Sequence, residues 1–263
     1  MDGIGFGEDK KISPVNLLLT TPTRLYLAFQ LARLDSKYRV ALKKLAISTN
    51  RILCHDMVRM GLTIRLLAAH LPDLGVLRIA VIGDGYGTMG SLLKMLYPSC
   101  KITYINLGRT LAFDLLYTAR THPSAGHTLI TNSSDPVGND FNYIEAEKVF
   151  DINPQADLFI NIASMQEMNP PIIREYFQLM RSQPDDAWFY CCNRVEKRLP
   201  DGTITRFKEY GWQPEDIQLV NELCPWHQVA PMNRPPFLRR LDGPTHHRLS
   251  RLRRRPKKQG IAP

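Results

Sequence analysis

The sequence predicts an α/β protein with a Rossmann-like, mostly parallel sheet flanked by helices, and with an N-terminal helical layer. Two observations predict this class. Apolar runs of strand length alternate with helical segments between residues 76 and 195, which is the order from which parallel sheets are built. Over residues 14–71, apolar side chains instead recur at mostly helical spacing. We therefore expect one large α/β domain with a helical region in front of it.

The alternation begins after a turn at residues 72–75. VLRIAVIG (76–83) is a continuous apolar run, which is typical of a strand buried on both faces of a parallel sheet. The further predicted strands are 101–107, 127–131, 156–163 and 187–195. Three helices are predicted: one after Gly87, one over 110–120 and one after Asn169. Asn169 is a capping residue type and is followed by two prolines, which the first turn of a helix tolerates. Pro200-Asp201-Gly202 predicts a hairpin turn that leads into 204–207.

The composition is that of a globular protein. Of the 263 residues, 44% are hydrophobic and 22% are charged, which argues against a largely disordered chain. No apolar run reaches the roughly 18 residues that a membrane span needs, and the amino-terminal residues lack the pattern of a secretory signal. These features predict a cytoplasmic protein without a membrane span.

The net charge of +9 is concentrated at the carboxyl end. Residues 239–263 contain nine Lys or Arg side chains against one acid, Asp242, so they supply +8 of the total. Such a basic tail can contact nucleic acid or an anionic surface electrostatically. The simpler interpretation is a solvated end, and we expect deletion of Leu249 to Pro263 to leave cofactor binding and thermal stability nearly unchanged.

The five cysteines show no metal or disulfide pattern. They are odd in number and have no framework spacing, so reduced thiols are expected. Cys191 and Cys192 lie in the apolar run AWFYCC, which indicates core packing. No metal site is predicted.

Gly83-Asp84-Gly85-Tyr86-Gly87 places three glycines at alternate positions between the first strand and the next helix. Glycines allow positive φ angles and close approach of a ligand, and the amino end of the helix offers free N–H groups. The pattern suits S-adenosylmethionine or a dinucleotide, since G-x-G-x-x-G also fits at Gly85, Gly87 and Gly90.

VIGDGYGTMG resembles the glycine loop of the sugar O-methyltransferase family, a branch of the class I S-adenosylmethionine-dependent methyltransferases. YINLGRTLAFDLLY is similar to that family's second strand and helix, DLFINIASMQEM (157–168) to its fourth-strand signature, and FYCCNR (189–194) to its fifth strand. The resemblance covers roughly Leu77 to Trp226. It implies a Rossmann-like fold, S-adenosyl-L-methionine as the cofactor and a small-molecule or glycan substrate.

Two positions depart from the family's pattern. Val81 stands where the family has an acid before the first glycine, and Asn106 stands where it has the acid that binds the ribose hydroxyls. Asn106 can still hydrogen-bond a hydroxyl, and we expect Asn106→Asp to tighten cofactor binding. Asp84 either compensates for the missing acids or is a solvated turn residue.

Glu167 and His227 are the candidate catalytic residues. O-methylation needs a base near the acceptor hydroxyl, and Glu167 follows the fourth strand, where the resemblance implies the acceptor side. The alternative is that Glu167 only stabilises the helix at Asn169. His227 lies in PWHQVAPMNRPPF, a proline-rich segment expected to be an irregular loop, and is either a second base or incidental. Asn161 and Ser164 are suited to orienting cofactor or sugar.

The predicted organisation is a flexible N-terminus (1–13), a helical accessory region (14–73), a methyltransferase domain (74–238) and a basic tail (239–263). The predicted function is methyl transfer from S-adenosylmethionine to a sugar or glycan-precursor hydroxyl. Val81 and Asn106 favour, as the alternative, a degenerate methyltransferase fold that serves in binding or as a scaffold. An NAD(P)-dependent oxidoreductase is the weaker alternative, because Asn106 replaces the acid expected for the ribose.

Overall fold

The computed structural model describes residues 21–135, 138–232 and 235–254. The helices in these ranges are α1 (Thr21–Ala32), α2 (Ser36–Ser48), α3 (His55–His70), α4 (Thr88–Leu96), α5 (Gly108–Thr121), α6 (Val149–Ile152) and α7 (Pro170–Arg181). The strands are β1 (Arg78–Ile82), β2 (Lys101–Asn106), β3 (His127–Ile130), β4 (Phe141–Glu145), β5 (Leu158–Ile162), β6 (Ala187–Arg194), β7 (Glu196–Arg198), β8 (Ile204–Arg206), β9 (Ile217–Leu223), β10 (Val229–Pro231), β11 (Leu238–Arg240) and β12 (Thr245–Leu252).

Eight strands form one sheet in the order β3-β4-β2-β1-β5-β6-β12-β9. All neighbours from β3 to β6 pair in parallel, and β12 runs antiparallel to both β6 and β9. From β1 the chain passes to β2, then to β3 at the edge of the sheet, back to β4 between β3 and β2, and finally to β5 on the other side of β1. The predicted fold class is confirmed, and β1 and β5 flank the point where the strand order reverses, which is where α/β sheets open a ligand crevice.

The sheet separates two apolar cores. On one face, Ile79 and Val81 of β1 pack in a cluster with α2, α3 and α4. On the other face, Ala80 and Ile82 of the same strand pack with α7. Successive side chains of a strand point to opposite faces. A strand with a core on each face therefore needs a continuous apolar run, as the sequence predicts for β1. Helices α1 to α3 form the expected helical layer.

Strands are also present where the sequence does not predict them. The proline-rich segment, which the sequence predicts to be irregular, contains β10, which pairs antiparallel with β11 just after that segment. The strand β4 was also not predicted, although Phe141 and Tyr143 alternate with Asn142 as in a strand. All of its residues up to Ile144 are nevertheless buried. The predicted hairpin is present as β7 and β8, with Gly202 at φ 87°.

The prediction of a solvated tail is wrong for β12, which is part of the sheet. Its eight residues pair with β6 from Thr245, opposite Arg194, to Leu252, opposite Ala187. Leu249 and Leu252 are fully buried. Basic side chains on this strand are accommodated by aromatic rings: the Arg248 guanidinium lies 4.2 Å from the centre of the Trp212 ring, a cation–π contact.

The end of β12 is anchored to α7. Arg181 donates to both carboxylate oxygens of Asp216, at 2.8 and 2.7 Å, and to the carbonyl of Arg253 at 2.9 Å. Asp216 also accepts from the Arg253 amide. Burial alone would raise the pKa of Asp216, but Arg181 and backbone amides hold it below its ordinary value. The buried ion pair therefore stabilises the packing of the end of β12 against α7.

Residues 1–13, predicted to be flexible, and 255–263, the last part of the predicted tail, lie outside the described residues. Within the described ranges, no helix combines the length and apolarity needed to cross a membrane.

Candidate functional site

A cavity of about 510 Å³ opens at the carboxyl ends of β1 and β5. Its walls come from the helical layer, the glycine loop, α5, the residues after β5, and the turn at His227. The loop contributes Asp84, Tyr86 and Thr88, and the segment after β5 contributes Ala163. The cavity therefore lies at the reversal of strand order, where a parallel sheet is expected to bind its ligand.

The three loop glycines all have left-handed backbone angles, with φ 73° at Gly83, 82° at Gly85 and 66° at Gly87. A side chain at Gly83 would collide with Ser164, and one at Gly87 would meet the carbonyl of Asp114 at 2.9 Å. Gly85 differs, because no atom lies within 4 Å of a Cβ placed there. Packing thus explains the glycines at both ends of the loop, whereas the space at Gly85 is open.

Asp84 occupies the amino end of α4. Its two carboxylate oxygens accept hydrogen bonds from the amides of Met89 at 3.2 Å and Gly90 at 3.1 Å. The free N–H groups that the sequence predicts as ligand donors are therefore already bonded within the protein. Burial raises the pKa of Asp84, against the lowering effect of these amides.

Asn106 lies at the end of β2, as the sequence predicts, but its side chain is held by the protein. Its amide donates to Asp114 at 2.9 Å and its oxygen accepts from the Leu107 amide at 3.0 Å. Asp114 also accepts from the Gly87 amide at 2.7 Å. The residue is buried, and both groups of its side chain already have partners within the protein.

Asp114, on α5, was not identified from the sequence. Burial raises its pKa and the nearby charge of Asp84 raises it further, while the Asn106 amide and the Gly87 amide act in the opposite direction. Two carboxyl groups in one poorly solvated region cannot both ionise freely. An acid inside the otherwise apolar pattern AFDLLY was the available signal. Of these two acids, Asp84 lines the cavity and Asp114 does not.

Asn161 and Ser164 connect the carboxyl end of β5 to β1. The Asn161 amide donates to the carbonyl of Ile82 at 3.0 Å, and the Ser164 hydroxyl donates to the same carbonyl at 3.0 Å. The Asn161 oxygen accepts from Met165 and Asn193. These bonds hold the carboxyl ends of the two strands together, so both residues shape the crevice.

The two predicted bases lie in different places. Glu167 does not line the cavity; its carboxylate is half exposed and pairs with Lys197 at 3.3 Å. His227 does line the cavity, and its Nδ1 lies 3.3 Å from the Cys224 sulfur and 3.7 Å from the Cys192 sulfur. The geometry gives Glu167 no contact with the cavity and leaves His227 as the candidate on its wall.

The helical layer supplies cavity residues that the sequence analysis did not identify. Arg51, Asp56 and Arg59 lie on this wall, and Arg120 of α5 lies beside them. The Tyr86 ring of the loop stacks on Phe113 of α5, with ring centres 5.6 Å apart. Solvated charges on helices are common, so only the packing of the layer over the sheet identifies them.

Comparisons with known proteins show the fold. No family model matches the chain, and no curated protein matches it. A crystal structure of a protein from Thermoplasma acidophilum aligns with a TM-score of 0.55 at 12% identity, over 83% of this chain and 98% of that one. At this identity the likeness establishes the shared α/β fold alone.

Two further solved structures align less well. An O-methyltransferase family 2 protein from Planctomyces limnophilus, in complex with apigenin, has a TM-score of 0.47 at 14% identity, over 82% of this chain and 62% of that one. Human N-acetylserotonin methyltransferase, in complex with SAM, has a TM-score of 0.41 at 14% identity, over 82% and 57%.

Proposed function

We propose that the protein is an S-adenosylmethionine-dependent methyltransferase that methylates a hydroxyl of a sugar or glycan precursor. The observation that carries the methyltransferase assignment is the cavity beside the glycine loop, with open space at Gly85 and the carboxyl groups of Asp84 and Asp114 close by. The sugar acceptor rests on the resemblance of the loop and of the fourth-strand signature.

The carboxylate of Asp84, at the loop end of the cavity, favours S-adenosylmethionine over a dinucleotide. S-adenosylmethionine carries a positive sulfonium and a positive ammonium group, and supplies an electrophilic methyl group when bound. Asp84 holds a carboxylate at the helix end where a dinucleotide would place its pyrophosphate. Like charges repel there, so an NAD(P)-dependent oxidoreductase is the poorer fit.

In this proposal the chain's own residues mainly bind and position. The backbone at Gly85 allows close approach of the cofactor, Asp84 attracts its cationic end, and Tyr86 on Phe113 offers an aromatic wall. His227 faces the acceptor side. Methyl transfer depends largely on in-line placement of the reacting atoms, and a rigid crevice between β1 and β5 serves that placement.

Calorimetric titration with S-adenosylmethionine, S-adenosylhomocysteine and NADH tests the cofactor. We expect binding of the first two and none of NADH. Gly85→Val should weaken S-adenosylhomocysteine binding at least about tenfold, equivalent to roughly 1.4 kcal/mol. Gly202→Val is the matched control, because Gly202 also has a left-handed φ, 87°, and no atom within 4 Å of an added Cβ, but lies in the β7–β8 hairpin. Equal loss in both variants would contradict the cofactor site.

Turnover with a panel of sugars and nucleotide sugars, followed by S-adenosylhomocysteine formation, tests the acceptor. His227→Gln should lower turnover at least about tenfold with unchanged S-adenosylhomocysteine affinity. Glu167→Gln is the control and should change turnover less than about twofold, since its partner is an exposed lysine. A large loss in Glu167→Gln alone would show that the acceptor binds elsewhere.

A degenerate fold that binds without catalysis is the second candidate. It is favoured by Asn106 and Asp84, whose side chains are both bonded within the protein instead of being free for a cofactor. Binding of S-adenosylmethionine without turnover on any acceptor would support this candidate over the enzyme.

A further inference from the structure

Cys192, Cys224 and His227 form a cluster that the methyltransferase proposal does not explain. Cys192 lies in β6, Cys224 follows β9, and His227 comes three residues later. Their sulfur and nitrogen atoms all lie within 4.8 Å of one another. Both thiols face the same imidazole atom, Nδ1 of His227, at 3.3 Å from Cys224 and 3.7 Å from Cys192.

These distances fit a tetrahedral metal ion. Zinc lies about 2.3 Å from a thiolate sulfur and about 2.0 Å from an imidazole nitrogen, so sulfur and nitrogen on one ion are separated by about 3.6 Å. The two observed separations lie on either side of that value. Thiolate and imidazole ligands together suit zinc and disfavour calcium or magnesium.

The backbone holds the cluster in place. Cys224-Pro225-Trp226-His227 is a tight turn in which the His227 amide donates to the Cys224 carbonyl at 3.2 Å. The Cys224 amide bonds to Thr245 of β12 at 2.9 Å, and the Trp226 indole donates to Thr63 of α3 at 3.2 Å. The turn is thereby fixed to both the sheet and the helical layer.

His55 supplies a second, independent observation. It is 7% exposed, and neither ring nitrogen has a hydrogen-bond partner among the described residues. Arg59, one turn further along α3, donates to the carbonyl of Trp226 at 2.9 Å, so the amino end of α3 packs against the turn that carries His227. A buried imidazole without a hydrogen-bond partner is costly.

The geometry points to a binding site for one zinc-type divalent cation, with Cys192, Cys224 and His227 as ligands and a fourth position for water or a substrate atom. Such a site would link β6 to the turn after β9 at the edge of the cavity. Because the cation would take Nδ1 of His227, Nε2 would carry the proton, and this residue would orient a substrate instead of removing its proton.

Metal analysis of the full-length protein tests this inference without any cofactor or substrate. After loading with Zn²⁺ under reducing conditions and extensive dialysis, we expect about one zinc per chain. Co²⁺ in place of zinc should give the intense visible bands of a tetrahedral ion and a thiolate-to-cobalt charge-transfer band. Removal of zinc by a chelator should lower the melting temperature, since a ligand of the folded state stabilises it.

Cys192→Ser and His227→Gln should each lower the affinity for Zn²⁺ at least about tenfold. Cys191→Ser is the matched control, because Cys191 is the adjacent and equally buried residue of β6 but packs in the other core, where it accepts from Asn193. It should retain the metal. The wild-type Co²⁺ spectrum remains decisive if a serine variant fails to fold.

Three results would overturn the inference: a wild-type protein that holds no stoichiometric zinc, a cobalt spectrum without thiolate bands, or a disulfide between Cys192 and Cys224 in the isolated protein. Equal metal loss in Cys191→Ser and Cys192→Ser would also overturn it, because the loss would then follow from disturbed packing and not from a missing ligand. None of these outcomes depends on methyl transfer, so the two proposals fail separately.

Discussion

The glycine loop and the strand β12 both carry a strong sequence signal, yet only the first signal predicted the structure correctly. The loop joins β1 to α4 with three left-handed glycines, as its spacing indicates. The strand β12 has the composition of a basic tail but lies inside the sheet between β6 and β9. The two segments differ in what their signals report.

The difference teaches that backbone requirements are local and charge is not. Gly83 needs a positive φ whatever lies around it, and the residues near it in sequence already show this. Arg248 on β12 is buried, and Trp212, 36 positions earlier in the chain, packs against its guanidinium. Charge density by itself therefore does not distinguish a solvated end from a strand whose basic groups have distant partners.

Removal of β12 should have the largest effect. A chain ending at Gly243 loses the strand that pairs with β6 over eight residues and with β9 over six. We expect loss of cooperative unfolding or insolubility, because the burial of Leu249 and Leu252 is lost and two strand edges are exposed. Circular dichroism melts and size-exclusion chromatography provide the measurement.

A chain ending at Arg254 is the control for that truncation and should melt within roughly 2 °C of the full chain. If the two truncated chains melt alike, β12 contributes no stability and the interpretation of residues 239–263 as a tail is restored.

Breaking the anchor of β12 should have the next largest effect. Asp216→Ala leaves the buried guanidinium of Arg181 without its carboxylate, and we expect a loss of about 3–5 kcal/mol in the free energy of unfolding. Glu196→Ala, which removes an exposed partner of Arg206, should cost less than about 1 kcal/mol. Urea unfolding compares the two variants. Similar losses in the free energy of unfolding would mean that the buried ion pair stabilises the fold no more than the exposed one.

Asn106→Asp should destabilise the loop side by about 1–3 kcal/mol. The new carboxylate would face Asp114, whose oxygen lies 2.9 Å from the present amide, and would add a third acid near Asp84. This reverses the expectation from sequence, which is tighter cofactor binding. Urea unfolding and calorimetry with S-adenosylhomocysteine are both informative: tighter binding at unchanged stability would show that residue 106 turns toward a ribose after all.

The pH dependence of stability should show the smallest effect. The folded state raises the pKa of both Asp84 and Asp114, so each carboxyl group binds its proton more tightly folded than unfolded. Their contribution to the free energy of unfolding is therefore most favourable at acid pH. It is lost as the pH rises above about 4 toward neutrality. Asp84→Asn removes one of the two charges and should flatten this decline.

Between about pH 5 and pH 8, we expect the free energy of unfolding to fall by on the order of 1 kcal/mol more in the wild type than in Asp84→Asn. This difference corresponds to roughly 2–4 °C in melting temperature. Differential scanning fluorimetry across that range measures it. Parallel pH profiles for the two proteins would show that Asp84 and Asp114 do not share a poorly solvated site.

The sequence predicted the core of the α/β pattern because each of its signals is carried by neighbouring residues. The apolar run before Gly83 required a strand buried on both faces, the glycine spacing required a left-handed loop, and Asn169-Pro170-Pro171 marked the start of α7. Strand periodicity and backbone angles are properties of a few adjacent residues. The same local character explains why the position of the crevice after β1 could be predicted.

Only the tertiary structure decided which side chains serve the site. In the folded chain, Asn106 donates to Asp114, and Asn161 and Ser164 both donate to the Ile82 carbonyl. Glu167 pairs with Lys197 outside the cavity. The tertiary structure also brought Cys192 within 3.7 Å of a histidine 35 residues further along the chain. A residue type fixes which bonds a side chain can make, whereas the partner that it meets depends on the packing of strands and helices distant in sequence.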